Sequence, residues 1–287
     1  MSSAQAPFSE PVYATPKEPR ELTAEDLAFI SKYTGRPAET LRRHILDVWN
    51  SAKKQAFVYM CIQEFGFLDP RIAKHPSYPK VKAAHQAKEA HDLMLHVDIG
   101  TAFGQDTRLL LLQGWSHEEL VATDVIAEYW ALGKALFMDQ DLAVPFLTCS
   151  AADNALVSNI NAAHLPSGDA SGVTHDTADF VWAGSVLHCM PEEDCRAFLK
   201  SAYQLLKPGG FLYGMTAGKH ESSEWTYSTD GTLTGFLYSP ASLESFLRSL
   251  GFCEVTMQSL DWSDLTTGTV KGTALSDIIT FYFTAVR

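Results

Sequence analysis

His96-Val97-Asp98-Ile99-Gly100-Thr101-Ala102-Phe103-Gly104 is the stretch from which the fold of this chain can be read. The run Leu93 to Val97 is short and apolar, as expected of a buried strand. It stops at an acidic residue, turns on glycine and leads into a helical pattern over Thr107–Gln113 closed by Gly114. Gly100 and Gly104 supply the positive φ and the missing side chain that let a ligand lie across a strand end. The start of the following helix, at Gln105 and Asp106, offers backbone donors to a carboxylate. Asp98 accepts, directly or through water, from an ammonium. A carboxylate inside the turn points away from a pyrophosphate and toward a ligand with a cationic amino group. The pattern also serves a purely structural turn, because lone glycine motifs are unspecific.

Outward from this unit the chain alternates. Leu120–Thr123 reads as a second strand, Glu128–Phe137 as a helix and Pro145–Cys149 as a third strand. Phe180–Ala183 is a fourth strand, Pro191–Leu206 an amphipathic helix and Gly210–Gly214 a fifth strand. Ser239 and Pro240 open a helix that ends at Gly251. Cys253–Met257 and Ile278–Val286 are two final strands, expected to pair antiparallel at the edge. This alternation predicts an α/β fold with a doubly wound, mostly parallel, seven-stranded sheet. Residues 217–239 read as a polar, glycine-containing loop.

The segment before the sheet is different. Residues 1–22, rich in Pro, Ser and Glu, read as a flexible arm and not as a signal peptide. Thr23 caps a first helix, with Asp26 completing a capping box. Leu41, Ile45, Val48, Trp49, Ala52 and Ala56 recur at helical spacing. That helix is expected to run through Tyr59 to Phe65 and stop at Gly66. Pro70, Pro76 and Pro79 then punctuate a connector. The chain thus divides into an arm (1–22), a helical N-terminal extension or lid (23–90) and a ligand-binding domain (91–287). The amphipathic N-terminal helices point to pairing as a homodimer.

Composition narrows the partners. Twenty-two basic against thirty-four acidic side chains give a net charge of −12. Such a surface repels phosphate backbones, and no basic patch offsets it, so no nucleic-acid partner is expected. The five cysteines lack C-x-x-C spacing and are odd in number, which argues for a reducing compartment and against a zinc site. His85 and His91 lack a third ligand, so no metal is expected. No run approaches the ~20 apolar residues of a membrane span. Cytoplasmic localisation follows as the expectation.

Asp124 stands just past the second strand, about 20 residues after Gly100. There a carboxylate can accept both hydroxyls of a ribose. Val125 and Ile126 would flank the attached base. A helix cap is the plain alternative for an isolated Asp at that place, and the first motif tips the balance toward the ligand.

Asp179-Phe180-Val181-Trp182-Ala183-Gly184-Ser185-Val186-Leu187-His188, followed by Leu205-Leu206-Lys207-Pro208-Gly209-Gly210, resembles the corresponding arc of class I S-adenosylmethionine-dependent methyltransferases. The resemblance covers roughly residues 93–215 and implies a Rossmann-like methyltransferase fold with S-adenosyl-L-methionine as cofactor. It implies that Asp98, Gly100, Gly104, Asp124, Val125, Ala152, Asp153 and Ala183 contact that cofactor, and that Ala183 to His188 line the reaction site. Two departures stand out. The middle glycine of the first motif is Ala102, and the third strand ends in Ser150-Ala151-Ala152-Asp153 rather than directly in an acid, so Ser150 or Asp153 would meet the adenine amine. The 23–67 segment and Thr101–Asp106 are similar to fungal methyltransferases of meroterpenoid biosynthesis, which esterify the carboxylate of a polyketide–farnesyl acid. That implies a carboxyl O-methyltransferase of secondary metabolism with an apolar acid as substrate.

His188 is the histidine at the reaction end of a strand. As a base it would serve a phenol (pKa ~10); as a donor it would orient a carboxylate, which is ionised without help (pKa ~4). A loop-closing hydrogen bond is the structural alternative. Tyr59, Trp225 and Tyr238 are the aromatic candidates for an apolar acceptor pocket, although core packing is the commoner role of any single aromatic. Competing readings are a phenol O- or C-methyltransferase, a nicotinamide oxidoreductase and a non-catalytic scaffold of the same fold. The oxidoreductase is disfavoured because Gly100–Gly104 lacks the G-x-G-x-x-G spacing.

Overall fold

The computed structural model describes residues 19–54, 59–89, 92–164, 176–226, 234–260 and 278–287. The expected arm at 1–22 lies almost wholly outside the described residues. Strands β1 (His96–Ile99), β2 (Leu120–Asp124), β3 (Phe146–Thr148), β4 (Ala178–Gly184) and β5 (Leu206–Lys219) run parallel. Further along lie β6 (Ser223–Thr226), β7 (Thr234–Leu237), β8 (Cys253–Leu260) and β9 (Ile278–Val286). The main sheet is seven-stranded, in the order β3-β2-β1-β4-β5-β9-β8, with β9 antiparallel to both neighbours. The chain leaves β1 toward β2 and returns to β4 on the other side. A crevice therefore opens past the carboxyl ends of β1 and β4, where α/β sheets take ligands.

Helices cover both faces. One face packs on α7 (Leu156–His164), α8 (Glu192–Leu205) and α9 (Pro240–Ser249) through Val97, Val181, Phe198, Leu199 and Leu243. The other packs on α4 (Tyr78–Ala87) and α5 (Gln105–Leu112) through Trp182, Tyr213, Val81 and Leu110. His96 sits in this second core, where its Nε2 meets Tyr213 Oη at 2.7 Å, and burial lowers its pKa to about 3.

The N-terminal extension forms a third apolar cluster. It holds α1 (Ala24–Thr34), α2 (Ala38–Ala52), the single-turn α3 (Met60–Gln63) and α6 (Ala127–Phe137). Thr23 and Asp26 form the expected capping box. The apolar face of α2 (Leu41, Ile45, Val48, Trp49, Ala52) is buried within this chain's own cluster. The face from which pairing with a second copy was inferred is thus covered intramolecularly. Phe103, inside the glycine turn, packs on Phe67 at 4.6 Å and Tyr129 at 5.6 Å, which ties the extension to the crevice.

Two expectations need correcting. Helix α2 ends at Ala52, not near Phe65, and Phe65 takes a left-handed φ of 59° that no helix continues through. The stretch 217–239 is not simply a loop: β5 extends to Lys219 on β9, and β6 pairs with β7 as an antiparallel ribbon.

Candidate active site

The turn after β1 is held left-handed at three of five positions: Gly100 (φ 71°), Ala102 (φ 49°) and Gly104 (φ 71°). The first and last suit glycine. At Gly104 a Cβ would also lie 2.5 Å from the Trp130 ring. Ala102 is the strained one, at roughly 1–2 kcal/mol for an L-residue in this region. Its N–H donates to Asp124 Oδ2 at 2.8 Å, so the second motif holds the first in shape. Asp124 Oδ1 accepts from Ile126 N at 2.9 Å. Each carboxylate oxygen has two lone pairs, so one backbone bond apiece leaves capacity for a diol. Val125 beside it is 52% exposed, an apolar side chain next to a buried carboxylate.

Asp98 is buried, and Oδ2 accepts from both Thr101 Oγ1 and Thr107 Oγ1 at 2.7 Å. Both bonds fall on one oxygen, and Oδ1 has no hydrogen-bond partner among the described residues. Burial pushes Asp98 up to about 6. A third acid, Asp106 in the first turn of α5, accepts from Ile72 N and Trp182 Nε1, each at 3.0 Å. Burial, then the neighbouring Asp98, push it up to about 7. Gln105 Oε1 is buried at the same helix start with no partner among the described residues.

The end of β4 carries different groups. Ala183 is fully buried, and Ser185 bends the chain with a φ of 71°. Its N–H donates to Met215 O at 2.9 Å, and its hydroxyl accepts from Arg71 Nη1 at 3.0 Å. His188 follows in a 3₁₀ turn, Leu187–Cys189. Ala217 N–H donates to its Nδ1 at 3.3 Å. Burial, then the charge of Arg71, lower its pKa to about 4. Trp225 Nε1 donates to the His188 carbonyl at 2.7 Å. Gly235 presses so closely that a Cβ there would lie 2.1 Å from the same carbonyl oxygen, so the β6–β7 ribbon seats directly on His188.

The remaining candidates are dispersed. Ala152 is half-buried; Asp153 is exposed, and its Oδ1 accepts from Ala155 N at 2.8 Å ahead of α7. Tyr59 is half-buried, 6.2 Å from Tyr129 on the Asp124 side. Tyr238 is 2% exposed and packs on Phe236 in the core. Sequence reasoning passed over Arg71 and the depth of Asp106. Arg71 lies in a proline-punctuated connector with no local signal, and only the docking of its turn on α5 brings it to the crevice. Among the described residues there is no group of three or more metal-ligating side chains, and no helix is long and apolar enough to cross a membrane.

Comparison with known proteins bears on the family and the fold. Residues 97–212 match the model of a methyltransferase domain, and residues 12–68 that of a meroterpenoid methyltransferase N-terminal domain. The chain is 35% identical over 111 residues to methyltransferase adrK of Penicillium rubens, a match covering 39% of this chain and 38% of that protein. It is 30% identical over 112 residues to asnovolin E/chermesin D methyltransferase nvfJ of Aspergillus novofumigatus, covering 39% and 38%. A longer match, 31% over 204 residues, covers 69% of this chain and 63% of O-methyltransferase phiE from a fungal species. The chain thus spans well under half the length of the first two relatives. In fold it is similar to 1,6-didemethyltoxoflavin-N1-methyltransferase of Burkholderia thailandensis, with a TM-score of 0.53, 16% identity and coverage of 97% and 99%. The chain is related to the fungal meroterpenoid methyltransferases, and its fold is the Rossmann-like methyltransferase fold.

Proposed function

We propose that this chain, a relative of the fungal meroterpenoid methyltransferases, transfers a methyl group from S-adenosyl-L-methionine to the carboxylate of an apolar, meroterpenoid-type acid. The residues at the strand ends suit that donor. Asp124 keeps acceptor capacity for the ribose hydroxyls and Val125 offers an apolar surface to the adenine. Asp98 Oδ1 and the unpartnered Gln105 Oε1 suit the ammonium. Ala152, Asp153 and Ala183 would complete the cradle, with Gly100 and Gly104 keeping the turn thin. The donor supplies an electrophilic methyl group on a sulfonium.

One observation carries the choice of acceptor. His188 Nδ1 meets both the Ala217 N–H and the Thr216 hydroxyl at 3.3 Å; in the tautomer that accepts from Ala217, which this reading adopts, Nε2 of the neutral ring bears the hydrogen. With its pKa lowered to about 4, the imidazole is neutral at pH 7. It therefore offers a donor at Nε2 and is too weak a base to deprotonate a phenol of pKa ~10. A carboxylate needs no base; it needs orientation in a site that excludes water. His188 supplies the orienting hydrogen bond, and Trp225 fixes the turn that presents it. Tyr59 would flank the donor side. Tyr238 would act from behind the ribbon, through packing.

The test is the chemistry of the product. The protein is incubated with S-adenosyl-L-methionine and a farnesylated aromatic acid that also carries phenols. A methyl group lost on mild alkaline hydrolysis identifies an ester and supports the reading. An alkali-stable methyl ether or C-methyl product refutes it.

A further inference from the structure

We propose that Arg71 holds the α-carboxylate of the donor's amino-acid tail, an inference that rests on the donor reading above. Arg71 is half-buried and lies at the start of the 3₁₀ turn Arg71–Lys74. A guanidinium has five N–H donors. Among the described residues this one makes a hydrogen bond to Ser185 Oγ and no ion pair. None of the crevice's three buried carboxyl groups pairs with it: Asp106, which feels its charge, bonds Ile72 N and Trp182 Nε1, Asp98 bonds two threonine hydroxyls, and Asp124 bonds the backbone of Ala102 and Ile126. The crevice thus presents acids to a cation and, at Arg71, a fork-shaped cation with most of its donors unused. That fork matches a carboxylate bidentately.

Position selects the donor's carboxylate. In an α-amino acid the ammonium and carboxylate share one carbon, so the groups that bind them must be close neighbours. Asp98 is the ammonium site of the proposed function. Asp106 lies close enough to Asp98 for the charge of Asp98 to raise its pKa, and Asp106 accepts a hydrogen bond from the N–H of Ile72, next in chain to Arg71. The charge of Arg71 is felt at both Asp106 and His188, which puts it where the amino-acid tail would meet the reaction site. The guanidinium is also aimed from the N-terminal extension. A Cβ at Gly66 would lie 2.7 Å from Nη2, so the backbone there packs directly against it. The extension is then part of the donor site and not only a lid.

The test is calorimetric titration of the full chain with S-adenosylhomocysteine and with its decarboxylated analogue, which keeps the amine and lacks the carboxylate. The wild type should bind S-adenosylhomocysteine at least about tenfold more tightly than the analogue. Arg71→Gln should lower affinity for S-adenosylhomocysteine about tenfold to a hundredfold and leave the analogue within about twofold; Arg71→Lys should fall between. Equal losses for both ligands would reduce Arg71 to a structural prop and overturn the inference. Unchanged S-adenosylhomocysteine affinity, with weaker turnover of an acid substrate, would overturn it in favour of an acceptor contact. A wild type that binds both ligands equally well refutes the inference and leaves the donor reading standing. A wild type that binds neither refutes both.

Discussion

At the ends of β1 and β2 the crevice is walled by Asp98 and Asp124, with Asp106 behind them, and its neutral companions are threonine hydroxyls and backbone N–H groups. At the end of β4 the groups are Arg71, Ser185, His188 and Trp225, none of them acidic, with Arg71 and Trp225 donating. The two halves also differ in how they are assembled. The acidic half comes from one strand-turn-helix-strand unit, residues 98–126, and the side-chain bonds of Asp98 and Asp124 stay within it. The donor-rich half is gathered from residues 71, 185, 188, 217, 225 and 235, which meet only when the extension, β4, β5 and the β6–β7 ribbon have docked. On the proposed reading, the fold's own connectivity builds most of the donor site, whereas tertiary packing adds Arg71 to it and builds the half that would face the acceptor.

Mutating each half should separate them. Asp124→Ala should strike the acidic half hardest, because it removes the proposed acceptor of the ribose and the anchor of the strained Ala102 together. Affinity for S-adenosylhomocysteine should drop about a hundredfold or more by calorimetry, two charged hydrogen bonds at ~1.5–3 kcal/mol each setting the scale. A loss under threefold would mean that the ribose is held elsewhere. His188→Ala strikes the other half. The turnover rate should fall about tenfold to a hundredfold while S-adenosylhomocysteine affinity stays within about twofold. If affinity collapsed instead, the two halves would not be separable.

A gentler probe is pH. Burial raises Asp98 to about 6, so its carboxylate forms only as pH rises through that value. Binding of the ammonium-bearing donor should therefore weaken as pH falls below about 6, by up to about tenfold per unit for one proton. Asp98→Asn should flatten that slope. His188, lowered to about 4, should leave no inflection in the turnover rate between pH 6 and 8. An inflection near 6.5 that vanishes in His188→Ala would show it acting as a base and blur the contrast.

The same contrast explains what could be read from the chain alone. The β1 turn, Asp98, Asp124 and the parallel order were legible because a left-handed turn at a strand end demands small residues within a few positions. The antiparallel edge was legible from two apolar runs after the last helix. The extension of β5 was not, since Thr216-Ala217-Gly218-Lys219 has no strand pattern and is held by register with Ile278–Phe281, some sixty residues on. Helix α2 looked longer than it is because apolar residues at Ala56 and Tyr59 continue its spacing by chance, whereas Phe65 turns left-handed to aim Phe67 at Phe103. Arg71 could not have been singled out: its place at the crevice depends on Asp106 capturing Ile72, a contact across thirty-four residues.

The most direct measurement is a crystal structure of the protein soaked with S-adenosylhomocysteine. Both sugar hydroxyls should sit within 3.2 Å or so of Asp124, with the amine beside Asp98 and the purine over Val125. Electron density for the nucleoside anywhere that leaves these two side chains without a ligand contact would contradict the account at its root.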